Sequence, residues 1–138
     1  MNKFSVFMDA IHYEIKYEYG NLYFDRCGQC LNDIERNCEG WYMLSTDTKM
    51  GFLECPEKYL TCQFNNERFN FSSQKPSKID ISVIASEVNN LWKIIEANLG
   101  IDTYLRQGCR IQYLKATENI EDAEKLIKRA NCKIHSFR

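Results

Sequence analysis

The sequence has few residues that break regular structure, and it has no long apolar run. Its 138 residues include two prolines and six isolated glycines, which argues against a long flexible linker and against a glycine-rich phosphate-binding loop. No stretch approaches the roughly 18 apolar residues of a membrane-spanning helix. The first ten residues also lack the apolar core of a signal peptide. We therefore expect a cytoplasmic protein that does not enter the membrane.

Net charge is low as well, at −1, so there is no overall attraction to nucleic acid or anionic lipid. The charge is nevertheless uneven along the chain. Residues 1–102 carry 10 Lys and Arg against 15 Asp and Glu, a net of −5, whereas residues 103–138 carry 8 against 4, a net of +4. The basic final quarter predicts either a surface for an anionic partner or a solvated face that pairs with the acidic remainder.

The length suits a single domain over residues 1–138, because a chain of this size can bury about 68% of the surface that its unfolded form exposes. Such a chain needs neither a disulfide nor a metal to reach ordinary stability. The seven cysteines are an odd number, and in the cytoplasm they are expected to be free thiols.

The amino-terminal region contains the clearest strand pattern. In the segment Ile11–Tyr19 the odd positions are apolar or aromatic and the even positions are polar, which is typical of a half-buried strand. Gly20-Asn21 then predicts a turn, and Leu22–Phe24 predicts a short returning strand. Asp25 is placed to cap a helix over Arg26–Cys38.

The rest of the chain alternates between short strands and two further helices. Strands are predicted over Trp41–Leu44, Gly51–Cys55, Tyr59–Phe64, Arg68–Phe71 and Thr103–Leu114. Asn65-Asn66 predicts a hairpin turn, because Asn tolerates a positive φ. Helices are predicted over Ile79–Leu99, which Gly100 would end, and over 119–130. The predicted fold class is α+β, a mainly antiparallel sheet with two or three helices packed on one face.

The segment Leu91–Leu114 carries a resemblance to a known family. A long amphipathic helix ends in Leu99-Gly-Ile101, and Leu105-Arg-Gln-Gly-Cys-Arg-Ile-Gln-Tyr113 follows it. This order resembles the Arg-x-Gly-x-Arg-Tyr strand in the first half of a sporadically distributed family of uncharacterised bacterial proteins. The chain departs from that pattern at Ile111-Gln112, where the family places an aromatic residue. The resemblance implies a fold and a bacterial or phage origin, and it assigns no catalytic residue.

Cys27-Gly-Gln-Cys30 is the sharpest local motif. Two cysteines three residues apart at the start of a helix suit thiol–disulfide chemistry, because the helix N-terminus lowers a thiol pKa. The same pair suits zinc if two further thiols approach, and Cys55 and Cys62 are the candidates for that role. The alternative is that these cysteines are small buried apolar residues.

Arg106, Gly108 and Arg110 lie at alternate positions of one predicted strand, so they share a face. Two arginines beside a bare backbone suit a phosphate or carboxylate. The alternative is that Glu14 and Glu18 neutralise the arginines across neighbouring strands. The predicted binding surface also includes basic residues that follow, Lys115, Lys125, Lys128 and Arg129.

These observations favour a non-enzymatic binding module whose partner is another protein. The first alternative is a nucleic-acid or nucleotide-binding domain that uses the basic final quarter. The second is a thiol-redox or zinc protein that uses Cys27 and Cys30. No catalytic residue and no cofactor are assigned, because no catalytic motif is present. An exposed edge strand would also allow two copies to form a homodimer.

Overall fold

The structure is a computed structural model that describes residues 6–46 and 49–129. It divides the chain into two compact units, and the larger one comprises Met8–Tyr113. Residues 6–7 and 114–129 are the described part of the smaller unit. The prediction of one domain over 1–138 stays a prediction.

Six strands form one antiparallel sheet, which confirms the predicted α+β class. In chain order the strands are β1 (Val6–Glu18), β2 (Tyr42–Thr46), β3 (Gly51–Cys55), β4 (Leu60–Phe64), β5 (Arg68–Ser73) and β6 (Thr103–Lys115). Their spatial order is β2-β3-β4-β5-β1-β6. The hairpins β2-β3, β3-β4 and β4-β5 therefore build one half of the sheet, and the two thirteen-residue strands β1 and β6 build the other.

Two helices cover one face of the larger unit. Helix α1 (Leu22–Asn37) packs on β2 and β3, and helix α2 (Ile81–Leu99) packs on α1 and β5. The side chains between the sheet and these helices are almost fully buried, and they include Ile15, Tyr17, Tyr23, Leu31, Ile34, Leu53, Phe64, Phe69, Phe71, Leu91 and Ile95. Alternation along each strand places these apolar side chains under the helices and the intervening polar ones on the opposite, open face.

Register in the centre of the sheet follows that alternation. Phe69 and Phe71 of β5 lie opposite Ile15 and Tyr13 of β1, and Phe64 of β4 also lies opposite Phe69. A shift of one residue would turn the buried phenylalanines toward the open face, so burial holds this register.

Helix α1 begins earlier than the sequence predicts. Leu22–Phe24 forms its first turn and not a returning strand, and Asp25 lies inside the helix and not at its cap. Tertiary packing explains the difference, because Tyr23 is buried at 1% exposure and stacks edge-on against Phe64. The strand-like run of three apolar residues becomes helical because a helix turns Tyr23 into the core.

Two turns lie where the sequence predicts them, and one of the two forms through a different interaction from the predicted one. Gly100 ends α2 with φ at 62°, as predicted. The β4-β5 hairpin also turns where Asn65-Asn66 predicts, but Asn65 acts through its side chain, whose oxygen accepts hydrogen bonds from the backbone N–H groups of Glu67 and Arg68. This is the local bonding that Asn side chains offer a turn.

The described part of the smaller unit contains helix α3 (Ile120–Arg129). Its predicted cap is confirmed, because the Asn119 side chain accepts a hydrogen bond from the backbone N–H of Asp122. Asp122 also lies 4.0 Å from the amine of Lys125.

Candidate functional site

Strand β6 carries the longest continuous run of exposed residues among the described residues of the larger unit. Thr103 is half-buried, and every residue from Tyr104 to Tyr113 is exposed. The strand ends the spatial order of the sheet, so only β1 pairs with it among the described residues. Three surfaces therefore meet on β6: the open face of the sheet, the helix-covered face, and the free edge.

On the open face, β6 borders a shallow depression of about 490 Å³. Arg106, Gly108 and Arg110 all line it, as the alternate spacing predicts. The opposite wall is polar and comes from β1, β4 and β5, through His12, Glu14, Gln63, Asn70 and Ser72. His12 is held in place by a 2.9 Å hydrogen bond between its Nδ1 and the Ser72 hydroxyl.

Glu14 neutralises the first arginine. Its carboxylate accepts a hydrogen bond from Arg106 and lies 3.9 Å from the guanidinium of Arg68. The hydrogen bond from Arg106, with the added charges of Arg106 and Arg68, lowers the pKa of Glu14 against an opposing effect of burial. Arg106 is therefore paired within the sheet, as the interpretation of Glu14 as its neutralising partner predicts.

Arg110 differs from Arg106. Among the residues that the structure describes, its side chain has no hydrogen-bond or ion-pair partner. Gly108 beside it is open as well, because a Cβ added there would meet no atom within 4 Å. One unpaired arginine and an open backbone in the same depression are what remain of the predicted two-arginine site.

On the helix-covered face, β6 borders an apolar groove of about 390 Å³. The β6 residues in it are Cys109 and Ile111. Helix α2 forms the opposite wall, through Ile81, Ile84, Val88 and Trp92, and β1 forms the floor. Near the end of α2, Tyr104 stacks on Trp92 with 6.1 Å between ring centroids, and Gln107 donates to the hydroxyl of Tyr13.

The free edge carries large exposed apolar side chains. Tyr104, Leu105, Ile111 and Tyr113 are between 39% and 59% exposed. The other edge strand, β2, has only five residues and a register shift between Met43 and Ser45. A short, irregular strand resists pairing with another chain, whereas a long apolar one invites it. Both edges expose apolar side chains, and they differ in length and regularity.

The Cys27-Cys30 pair lies in the core. Because α1 begins at Leu22, Cys27 is in the second turn of the helix, away from the N-terminal N–H groups that the sequence argument invoked. Burial raises the pKa of Cys30 and of its neighbour Cys62, which disfavours the reactive thiolate. Burial also raises the pKa of Cys55.

Metal-ligand geometry gives no support to the zinc interpretation. Within residues 6–46 and 49–129 no group of three His, Cys, Asp or Glu side chains is placed to hold a metal ion. The redox and zinc interpretations of Cys27, Cys30, Cys55 and Cys62 stay predictions.

The predicted basic surface is divided between the two units. Arg106, Gly108 and Arg110 belong to the larger unit, whereas the later basic residues belong to the smaller one, namely Lys115, Lys125, Lys128 and Arg129. Three of these four line a separate depression of about 430 Å³, together with Asp122 and Leu126. Lys128 is exposed on α3 and is not among its lining residues.

Sequence reasoning missed the polar partners on the open face. Gln63, Asn70 and Ser72 stand beside Arg110 because β4 and β5 alternate with apolar residues that point into the core. That alternation is visible in the sequence, and it indicates which polar residues share a face. Their closeness to β6 is not visible in the sequence. It depends on the order of the strands, in which β1 alone lies between β5 and β6.

Comparison with family models, with curated proteins and with solved structures finds no significant match for this chain. None of the described helices combines the length and the apolarity that crossing a membrane requires.

Proposed function

We propose that this chain is a non-enzymatic protein-interaction module that binds its partner by adding a strand to β6. The observation that carries the proposal is a thirteen-residue strand at a sheet edge whose residues from Tyr104 to Tyr113 are all exposed. An unpaired edge offers a row of backbone N–H and C=O groups, which an extended segment of another protein can satisfy. Side chains on both faces then set the specificity.

Apolar exposure supports the same proposal. Leu105 and Tyr113 are 59% and 58% exposed, and together with Tyr104 and Ile111 they put four large apolar side chains on one strand. Natural proteins usually protect a long edge strand with charge, Pro or a bulge. Pro is absent from β6, and its two arginines leave the four apolar positions uncovered.

Site-specific photo-cross-linking tests the proposal with a matched control. A photoreactive benzoylphenylalanine replaces Tyr113 on β6 or Tyr42 on β2, since these side chains are 58% and 60% exposed. After irradiation of cells that express the full chain, we expect a discrete protein adduct from position 113 and none from position 42. Equal adducts from both positions, or none from 113, would contradict the proposal.

A second candidate function, binding of a phosphate-bearing ligand such as a nucleotide or nucleic acid, rests on the unpaired Arg110. Arg110 lines the same depression as Gly108, whose backbone is open, and Asn70 and Ser72 also line it. Forked hydrogen bonds from Arg suit a phosphate. The earlier proposal of a wider basic surface, with Lys115, Lys128 and Arg129, depends on residues of the other unit.

A titration distinguishes this second candidate. Inorganic phosphate and a thymidine oligonucleotide are added separately to the ¹⁵N-labelled chain, and the amide shifts of residues 108–110 are followed. Binding should disappear in Arg110→Gln, persist in Arg36→Gln on the exposed end of α1, and weaken as salt rises. Unchanged spectra at low salt would remove the candidate and leave the strand-addition proposal intact.

A further inference from the structure

The residues of β6 are arranged nearly symmetrically about Cys109. Positions four before and four after it are both apolar and exposed, Leu105 at 59% and Tyr113 at 58%. Positions three before and after are Arg106 and Gln112. Such a strand can lie antiparallel to a copy of itself with chemically suitable residues opposite one another.

When a two-fold axis normal to the sheet relates two copies, each face of β6 lies on the same side in both copies. The helix-covered sides of both copies then lie on the same side of a joined sheet, and each contact occurs twice, as in any isologous interface. With Cys109 on the axis, Leu105 of one copy faces Tyr113 of the other. Cys109 and Ile111 line the apolar groove beside α2, so the grooves of the two copies meet at the axis.

The open face of the joined sheet also fits this register. Arg110 of each copy lies opposite Gly108 of the other, where no atom lies within 4 Å of an added Cβ. Arg106 lies opposite the amide of Gln112. Each guanidinium therefore meets space or a hydrogen-bonding group and meets no second cation.

Neighbouring registers bring like charges together. With Gly108 on the axis, Arg106 of one copy faces Arg110 of the other, and with Arg110 on the axis the two Arg110 side chains face each other. Facing residues of an antiparallel pair have Cβ atoms about 4.5–5.5 Å apart, and like charges at that distance are destabilising. Larger shifts shorten the paired stretch, so the position of the arginines selects Cys109.

We propose that the partner of β6 is a second copy of this chain, paired antiparallel through residues 105–113 about a two-fold axis at Cys109. This inference rests on the proposed function, because it names the partner of the same strand. It joins two six-stranded sheets into one and covers the edge that the single chain leaves open.

Disulfide trapping tests the register. Facing Cα atoms in an antiparallel pair are about 4.5–5.5 Å apart, within the roughly 4.4–6.8 Å that a disulfide spans. Cys109 is exposed, and the five other described cysteines are buried. In a Cys132→Ser background, diamide should convert the chain to a covalent dimer within minutes, because each diamide takes two hydrogens as two Cys109 thiols form one S–S bond. The Cys109→Ser variant should stay monomeric on a non-reducing gel.

Relocated cysteines separate a specific register from chance collision. With both Cys109 and Cys132 changed to Ser, a single Leu105→Cys or Tyr113→Cys should not cross-link, because each new thiol is about 27 Å from its own copy along the strand. The double variant with both cysteines should cross-link, because the two positions face each other. Equal cross-linking of the single and double variants would overturn the register.

Charge at Gln112 gives a non-covalent test with a matched control. Gln112→Lys places a cation opposite Arg106 twice in each dimer, whereas Gln112→Glu places an anion there. Two such facing pairs change the affinity between the two copies by about two- to thirty-fold. Sedimentation equilibrium should show a higher dimer dissociation constant for Gln112→Lys and a lower one for Gln112→Glu. A chain that stays monomeric at high concentration would overturn the inference.

The two proposals fail differently. If position 113 yields photo-adducts with a different protein while the purified chain is monomeric, strand addition to β6 stands and the second copy is wrong. If the purified chain dimerises but Cys109 does not cross-link and position 113 yields no adduct, both are wrong, because the dimer then uses another surface. Urea denaturation of each variant excludes loss of the fold, since the altered side chains of β6 are exposed.

Discussion

Strands β5 and β6 belong to one sheet but occupy opposite environments. In β5, Phe69, Phe71 and Ser73 are buried at 0–1% exposure beneath the helices. In β6, exposure extends over both faces from Tyr104 to Tyr113. By composition β6 is no less apolar than β5, with six apolar residues of thirteen against two of six. Position in the sheet, not composition, therefore decides which strand carries stability and which is open to a partner.

The comparison also shows how each strand uses its polar residues. Those of β5 face other strands of the same chain, as in the pairs Asn70–Gln63 and Ser72–His12. On β6, Arg106 is bound to Glu14 while Arg110 has no partner among the described residues. A polar side chain without a partner is therefore found on the edge strand, where fewer neighbouring strands are available to pair with it.

The largest predicted difference concerns aromatic truncation. Phe69→Ala should lower the free energy of unfolding by about 3–5 kcal/mol, because the side chain is fully buried against Tyr13 and Trp92 and its loss leaves a cavity. Tyr113→Ala on β6 should change it by less than about 0.5 kcal/mol in the monomer. Urea denaturation at low protein concentration measures both. Similar losses from the two variants would show that β6 contributes to the core.

A second comparison uses two glycines. Gly20 precedes α1, and a Cβ there would collide with the backbone oxygen of Asn66, at the turn into β5, and with the ring of Tyr17. Gly20→Ala should therefore cost about 1–3 kcal/mol through overpacking. Gly108→Ala on β6 meets open space and should be neutral or stabilise by up to about 1 kcal/mol. Thermal unfolding of both variants checks the contrast, and a costly Gly108→Ala would mean that β6 is already covered.

The covered side of the sheet also contains a partly buried polar contact. Glu87 of α2 accepts a 2.7 Å hydrogen bond from the indole of Trp41, which stacks on Phe71 of β5, and a 2.5 Å bond from Lys58. That bond raises the pKa of Lys58. Glu87→Ala should cost about 1–2 kcal/mol, mostly because the Trp41 N–H loses its partner. Lys58→Met alone should cost less than Glu87→Ala, and an equal cost would assign the loss to Lys58.

The smallest predicted effect is the pH dependence of the Glu14–Arg106 pair. The folded-state pKa of Glu14 is lowered, so its contribution is present above the unfolded value of about 4.3 and is lost as pH falls through the folded value. Arg106 is 64% exposed, so the effect should stay below about 1 kcal/mol. Arg106→Gln should flatten the stability profile below pH about 4.3. An unchanged profile would mean that Arg68 alone holds the carboxylate.

Several elements were predictable because their signals are local. The alternation of residues 11–19, the stripe of α2, the Gly100 terminus and the Asn119 cap each depend on neighbours in the chain, and each appears in the structure. The start of α1 was not predictable, because Tyr23 becomes helical by packing against Phe64, a residue 41 positions away. For the same reason Cys27 was expected at a helix N-terminus and lies one turn deeper.

The candidate site divides in the same way. The shared face of Arg106, Gly108 and Arg110 follows from the two-residue repeat of a strand, and the structure places all three in one depression. The sequence alone left Glu14 and Glu18 as the candidate partners of the arginines, and the structure pairs Glu14 with Arg106. The position of β6 in the sheet produces the exposed edge, the apolar groove and the unpaired Arg110. No pattern within the sequence of β6 predicts them.

By itself, the sequence determined the α+β class, most of the elements and the face that each strand residue occupies, because periodicity and turn chemistry act over a few residues. Only the tertiary structure decided that β6 lies at the edge beside β1, that α1 and α2 leave it uncovered, and that one arginine is paired while the other is free. Those outcomes depend on which strands pair across a hundred residues of chain, and the burial of the whole core determines that pairing.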